Sequence, residues 1–188
     1  MRGSGSGHAR RYSGLVANLN RNCDPRRHAW LMTDERIGDA LIPVILGLPP
    51  GAGVVFRHYG LSRRDRHRLF LRVRRLAQAR GLRISAVGGL PGVATHNGHR
   101  ALTYAVHDRR EAIAAMRAGA SWLFVSPLFA TRSHAGARPL GMRKATAITS
   151  RLNVGRVALG GMTARRWLRL RRYGFTGWAA IDGLVPPR

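Results

Sequence analysis

The chain has a single cysteine, Cys23, and only 8 acidic residues in a length of 188. One cysteine excludes a disulfide framework and a cysteine-ligated metal site. No run of 18 apolar residues occurs, so no transmembrane helix is predicted. The basic N-terminus is not followed by the apolar segment of a signal peptide. These absences predict a cytoplasmic protein without a membrane partner.

Lysine is also rare, because Lys144 is the only lysine among 33 basic residues, and the formal net charge is +25. Such a surface attracts polyanions without reading their sequence, so non-specific nucleic-acid binding is one interpretation. The other is a genome-wide preference for arginine, with the arginines on solvated helix faces. The charge is spread over several predicted helices, and no known nucleic-acid-binding motif accompanies it. Composition alone leaves both interpretations open.

The chain divides into two parts by composition. Residues 1–28 are rich in Gly, Ser, Arg and Asn and predict a disordered basic arm, whereas residues 29–188 predict one folded domain. In that domain apolar strand patterns alternate with amphipathic helix patterns, which predicts an α/β fold with a parallel sheet. The predicted strands are 29–33, 53–57, 83–87, 92–95, 101–106, 120–126, 154–159 and 177–181. The predicted helices are 37–48, 62–80, 108–118, 142–152 and 163–173.

The number of candidate strands predicts the closed form of such a sheet, a (βα)₈ TIM barrel, although barrels typically need about 250 residues. Two connections, 88–92 and 96–100, are too short to contain helices. Parallel strands need crossovers of about a dozen residues or more. We therefore expect a barrel that is eroded around strands 3 and 4.

The loop after the sixth strand collects hydroxyls and cations, namely Thr131, Arg132, Ser133 and His134. The carboxyl ends of parallel strands are where α/β folds bind anionic substrates. We predict that these four residues bind a pyrophosphate or carboxylate, with Arg132 able to make a bidentate contact. The alternative is a solvated surface loop.

The next strand ends in Gly160 and Gly161, followed by Thr163 as a predicted helix N-cap. Backbone N–H groups at such a turn bind phosphate, and a side chain there would hold the anion away. The alternative interpretation is a tight turn without a ligand.

Two further residues follow predicted strands. His107 is a candidate general acid or base, because its ordinary pKa lies near working pH; it could equally be bonded to its own loop. Arg57 ends the second strand and could reach a phosphate, or it could be a surface arginine. The histidines show no zinc-type spacing, and we predict no metal site.

Residues 29–185 resemble the thiamine-phosphate synthase family, including its TenI-like thiazole tautomerase branch. The most specific matches are Ser126-Pro-Leu-Phe-Ala-Thr-Arg-Ser-His134, against the family pattern G-P-[VI]-[FY]-x-T-x-[TS]-K, and Ala158-Leu-Gly-Gly-Met-Thr163, against A-[IL]-G-G-[IM]-T. Segments 30–34, 55–60, 105–108 and 139–141 match other family motifs.

The resemblance implies a (βα)₈ barrel and an enzyme of thiamine biosynthesis that joins hydroxymethylpyrimidine pyrophosphate to thiazole phosphate. In such synthases Mg²⁺ steadies the leaving pyrophosphate. By resemblance, Arg57, Thr131 and Ser133 would contact the phosphate or pyrophosphate groups. Gly161 would hold the thiazole phosphate through its backbone.

The chain departs from the family at charged positions. Tyr59 and His134 stand where the family has lysines, and Val87-Gly-Gly89 stands where it has an Asn-Asp pair. The second acidic ligand is missing near 96–99. Because Mg²⁺ prefers carboxylate oxygens, we predict no resident cofactor and a slow synthase reaction.

Three functions stay open at this point. The first is a divergent synthase in which arginines replace the metal and the lysines. The second is a metal-independent tautomerase that uses His107. The third is a non-catalytic module that binds a phosphorylated ligand or nucleic acid. The sequence predicts a phosphorylated small-molecule partner and no particular oligomeric state.

Overall fold

The computed structural model describes residues 24–131 and 136–185. Eight parallel strands form one sheet in the order β4-β3-β2-β1-β8-β7-β6-β5, and β1 pairs with both β2 and β8. The sheet therefore curves into a barrel, as the alternating sequence pattern predicts. The strands are β1 Ala29–Met32, β2 Gly53–Phe56, β3 Arg83–Ala86, β4 Ala94–Thr95, β5 Thr103–Val106, β6 Trp122–Val125, β7 Gly155–Leu159 and β8 Gly177–Ala180.

Three of the described α-helices begin where the sequence supplies a capping side chain. Ser62, Asp108 and Thr163 each accept a hydrogen bond from the backbone N–H three residues further on. The helix predicted from residue 37 starts instead as a 3-10 turn, Glu35–Ala40, and becomes α-helical at Leu41. Pro43 is tolerated because it falls in the first α-helical turn. The helices are α1 Leu41–Gly47, α2 Arg63–Ala79, α3 Arg109–Arg117, α4 Gly141–Thr149 and α5 Ala164–Leu170.

Aromatic side chains fill the amino-terminal half of the barrel. The ring of Trp30 lies 5.5 Å from that of Trp122 and 5.3 Å from that of Phe124. Gly53 and Gly155 lie against these indoles, where an added Cβ would come within 2.2 Å of Trp30 and 2.3 Å of Trp122. Since this end is packed with large rings, space for a ligand is left at the carboxyl ends of the strands.

The folded part of the chain begins before the predicted domain start at residue 29. Pro25–His28 form a 3-10 turn, and the indole Nε1 of Trp178 donates a hydrogen bond of 2.7 Å to the Pro25 carbonyl. These residues therefore belong to the barrel and not to the predicted arm. The rest of that arm, residues 1–23, lies outside the described residues.

Within residues 24–131 and 136–185, no helix has the length and apolar character needed to cross a bilayer.

The barrel is incomplete at one seam, between β4 and β5. β4 is only two residues long, and no helix separates β3 from β4 or β4 from β5. A single isolated bridge, between His96 and Thr103, joins the two sides. This confirms the erosion expected around strands 3 and 4 and places the gap on the β5 side of β4.

Buried polar side chains replace strand pairing at the seam. Nδ1 of His96 lies 2.8 Å from the Thr103 hydroxyl, and that hydroxyl donates a 3.0 Å hydrogen bond to Ser85. All three residues are buried. Because the Thr103 hydroxyl donates to Ser85, it accepts from Nδ1–H of the His96 ring.

The seam makes the stability of the fold sensitive to mild acid. Burial, aided by the positive charge of Arg57, lowers the pKa of His96 to about 4. An unfolded chain binds this proton near pH 6.5, so the unfolding free energy falls as the pH drops from about 6.5 towards 4. We expect His96 to account for a loss of roughly 2–3 kcal/mol across this window.

Urea unfolding of wild type and His96→Gln at pH 7 and pH 4.5 measures this contribution. His67→Gln is the matched control, because His67 is exposed on α2. The expectation fails if His96→Gln keeps the full pH dependence of the wild type.

Candidate functional site

A cavity of about 460 Å³ opens at the carboxyl ends of the strands. It brings together five of the residues predicted from the sequence: Arg57, His107, Thr131, Gly160 and Gly161. These residues follow four different strands, so the curvature of the sheet into a barrel is what makes them neighbours. Three other predicted residues, Arg132, Ser133 and His134, lie outside the described residues.

The glycine pair forms one wall of the cavity and joins two loops. Gly160 has φ +94° and Gly161 has φ +61°, values that favour glycine. An added Cβ would lie 2.8 Å from Cα of Pro127 at position 160, and 2.5 Å from the Ala130 carbonyl oxygen at position 161. The amide of Phe129 donates to the Gly160 carbonyl at 3.2 Å. The turn after β7 is therefore packed directly against the loop after β6, and no other residue fits there.

Arg166 lies beside this turn, and the sequence interpretation missed it. Its guanidinium carbon is 4.5 Å from the centre of the Phe129 ring, its Nη1 donates to the Gly161 carbonyl, and the residue lines the cavity. Arg166 is in the first turn of α5, where a cation is disfavoured by the helix dipole unless an anion lies nearby. Arg165 and Arg166 both follow the N-cap Thr163, so the sequence alone does not distinguish the arginine that lines the cavity.

His107 lines the cavity at the end of β5, two strands from β7 in the sheet. Its Nδ1 is 3.0 Å from Oε2 of Glu111, and its backbone N–H donates to the same oxygen at 2.6 Å. With the carboxylate accepting from Nδ1–H, Nε2 is the basic nitrogen of the neutral ring. The sequence predicts only that Glu111 lies in the helix 108–118, and the contact with His107 appears once that helix follows β5.

Arg57 is held in place by the loop after β1. Its Nε donates to the Thr33 carbonyl and its Nη2 to Oδ2 of Asp34, both at 2.9 Å. Partial burial raises the pKa of Asp34, but hydrogen bonds from Arg36 and the charges of Arg36 and Arg57 outweigh it and keep that pKa below its ordinary value. Arg57 is thus a fixed cation, part of whose charge is offset by Asp34.

The described residues do not fit the Mg²⁺ that the family resemblance implies. No group of three or more His, Cys, Asp or Glu within 24–131 and 136–185 is arranged to hold a metal ion. Asp34 is ion-paired with Arg36 at 2.7 Å and Arg57 at 2.9 Å. Where a second acidic ligand is expected, His96 is buried and bonded to Thr103. This donor set lacks the free carboxylate oxygens that Mg²⁺ requires.

Residues 92–184 match the family model described as thiamine monophosphate synthase. The chain is 33% identical over 89 residues to the thiamine-phosphate synthase of Chloroflexus aurantiacus, covering 47% of this chain and 41% of that protein. It is 30% identical over 79 residues to the putative thiamine-phosphate synthase 2 of Aquifex aeolicus, covering 42% of each. The aligned segments thus span about two fifths of these curated relatives.

Solved structures show the same fold over most of the chain. The thiamine phosphate pyrophosphorylase from Pyrococcus furiosus superimposes with a TM-score of 0.70 at 19% identity, covering 84% of this chain and 87% of that one. The enzyme of that name from Bacteroides thetaiotaomicron gives 0.56 at 14% identity, covering 82% and 83%. At such identities the likeness establishes the parallel barrel alone. The family model and the curated relatives supply the rest: residues 92–184 of the chain belong, at distant identity, to the thiamine-phosphate synthase/TenI family.

Proposed function

We propose that the cavity binds a phosphorylated small molecule of the thiazole phosphate class, and that His107 moves a proton on it without a divalent cation. The observation that carries this proposal is that one cavity is lined by the Gly160–Gly161 turn, by Arg57 and Arg166, and by a histidine oriented by Glu111.

The anion-binding end is the wall around Gly160 and Gly161. Glycine lets a phosphate approach backbone N–H groups closely, and a guanidinium beside the turn supplies a charge-assisted hydrogen bond. Asp182 also lines the cavity, after the neighbouring strand β8, where its carboxylate would repel a dianion. The phosphate is therefore expected at the β7 end, next to Arg166.

The proton-transfer end is His107. Its Nε2 would remove a proton from one carbon of the bound heterocycle and return it to another, so the reaction is a tautomerisation. This shift needs no oxidant, reductant or second substrate. Glu111 would orient the ring and stabilise the imidazolium formed halfway through.

A second candidate is the synthase reaction that joins hydroxymethylpyrimidine pyrophosphate to thiazole phosphate. The family description and the names of the curated relatives favour it. This reaction requires the departure of pyrophosphate, which Mg²⁺ stabilises in such synthases. Here Arg57 and the cations of the β6 loop would have to stabilise the charge of the leaving group instead. Product formation from the two substrates with added Mg²⁺ would select this candidate. Ligand binding without turnover would select a non-catalytic module.

The binding half of the proposal is tested by calorimetry with thiazole phosphate and its unphosphorylated alcohol. We expect Arg166→Ala to weaken thiazole phosphate binding by about 10–100-fold, since a hydrogen bond to a charged group contributes about 1.5–3 kcal/mol. Binding of the alcohol should not change. Arg165→Ala is the matched control, because Arg165 is exposed on the same helix and does not line the cavity.

Equal affinity of the wild type for the phosphorylated and unphosphorylated compounds would contradict the proposed anion site. An equal loss in Arg165→Ala and Arg166→Ala would show that only general charge is acting.

A further inference from the structure

The outer face of α2 carries a stripe of exposed arginines. Arg64, Arg68, Arg72 and Arg75 are all exposed. At 3.6 residues per turn their spacing places them within one quarter of the helix circumference, and a rise of 1.5 Å per residue spreads them over about 16 Å. We call these four residues the α2 stripe.

Two other arginines of α2 point inward and have a different role. Nε of Arg66 donates to the carbonyls of Arg57 and His58, both at 3.0 Å, and its Nη2 donates to that of Val87 at 2.6 Å. Arg74 donates to the Pro91 carbonyl at 3.1 Å. These side chains attach the helix to the barrel, so the arginine-rich sequence divides into a structural set and the α2 stripe.

The charge of the α2 stripe is nearly unopposed. All 8 acidic residues of the chain lie in the described segments, and Asp65 is the only one on α2. Asp65 pairs with Arg68 at 3.6 Å and accepts from the Ser62 hydroxyl. Among the described residues, Arg64, Arg72 and Arg75 form no ion pair. Because like charges four residues apart destabilise a helix, the stripe lowers the stability of the free protein.

We propose that the α2 stripe binds the phosphodiester backbone of nucleic acid without reading the bases. A 16 Å stripe is matched to about five phosphates along one strand, at 3.4 Å of helix axis each. Guanidinium groups bind phosphate oxygens in bidentate geometry. The stripe is separate from the cavity, whose described lining contains no residue of α2.

An anionic membrane is a poorer fit to the same charge. Helices that lie on a bilayer insert an apolar face between the lipids. On α2, Phe70, Val73 and Ala77 are fully buried against the barrel and Leu69 and Leu76 are partly buried there, so Leu71 is its single exposed leucine. α2 therefore exposes cations at its surface but has no apolar face that could insert into a bilayer.

Fluorescence anisotropy with a labelled DNA duplex two helical turns long tests the proposal. At low salt we expect binding that is the same for a shuffled sequence. Affinity should fall steeply as salt is added, because each phosphate contact releases counterions. The variant R64Q/R68Q/R72Q/R75Q should reduce the slope of log K against log salt by about three to four and weaken binding at least about tenfold.

The matched control is R110Q/R117Q/R143Q/R169Q, which removes the same charge from exposed positions on α3, α4 and α5. It should keep most of the affinity and of the salt slope. Circular dichroism checks that both variants are folded, and protection of α2 from hydrogen exchange by the duplex tests the site in the wild type.

Three results would overturn the proposal. The first is an absence of DNA binding by the wild type at low salt. The second is an equal loss of affinity in both variants, which would assign the effect to net charge alone. The third is binding to anionic vesicles without binding to DNA, which would assign the stripe to a membrane.

Discussion

His107→Ala is expected to lower turnover of a phosphorylated thiazole substrate by about 10²–10⁴-fold, which is the usual contribution of a positioned general acid or base. The ligand should still bind with nearly wild-type affinity, because its phosphate is held at the β7 end by the Gly160–Gly161 turn and Arg166. A change confined to kcat distinguishes a proton-transfer role for His107 from a binding role. Steady-state kinetics combined with calorimetry measures both quantities.

Glu111→Gln tests the same proton-transfer step, with a smaller expected loss of turnover. The amide keeps the size of the side chain but loses the carboxylate that lies 3.0 Å from Nδ1 of His107. We expect turnover about tenfold below wild type, with unchanged ligand affinity, since the ring keeps its position but loses charge stabilisation. Asp108→Asn is the control at the neighbouring cap position, and it should affect stability more than turnover.

A chelator separates the two candidate reactions. EDTA should leave tautomerisation unchanged, because the described residues supply no Mg²⁺ site. Full turnover in His107→Ala, or its abolition by EDTA in the wild type, would reject the metal-independent mechanism. Product formed only from both synthase substrates with Mg²⁺ would favour the synthase reaction. The proposed anion site would not be contradicted by this result.

The barrel could be predicted from the sequence because its signals are local. Ser62, Asp108 and Thr163 cap the helices they precede, and the strand patterns contrast sharply with the helix patterns between them. The short connections on either side of β4 also showed where the barrel would be incomplete. Each of these inferences depends on residues close together in the chain.

The seam and the charges of the cavity could not be predicted in the same way. His96 lies in a polar loop by sequence, and its burial depends on missing helices and on Thr103 and Ser85 from neighbouring strands. Arg57 is oriented by Asp34 from another strand. Arg166 could not be identified as a site residue from the sequence, because the chain contains many arginines. Only the fold, which places Arg166 beside Gly161, distinguishes it from the others.

Gly160→Ala should both destabilise the barrel and weaken phosphate binding, whereas Gly119→Ala should only destabilise it slightly. The two glycines have nearly the same backbone conformation, φ +94° and φ +93°. A Cβ at Gly119 meets no atom within 4 Å, but one at Gly160 would lie 2.8 Å from Cα of Pro127. Comparison of the Gly119→Ala and Gly160→Ala variants therefore separates the cost of backbone strain from the cost of a clash between the two loops.

We expect Gly119→Ala to lower the unfolding free energy by about 1 kcal/mol, for the strain alone. Gly160→Ala adds a clash with backbone and should lose about 2–4 kcal/mol, measured by urea unfolding. Affinity for thiazole phosphate should fall at least about tenfold in Gly160→Ala only, because relief of the clash moves the turn whose amides are proposed to bind the anion. Gly160→Ala could instead lose stability but bind thiazole phosphate like the wild type. In that case Gly160 and Gly161 serve only the packing of the two loops, and the phosphate is bound elsewhere in the cavity.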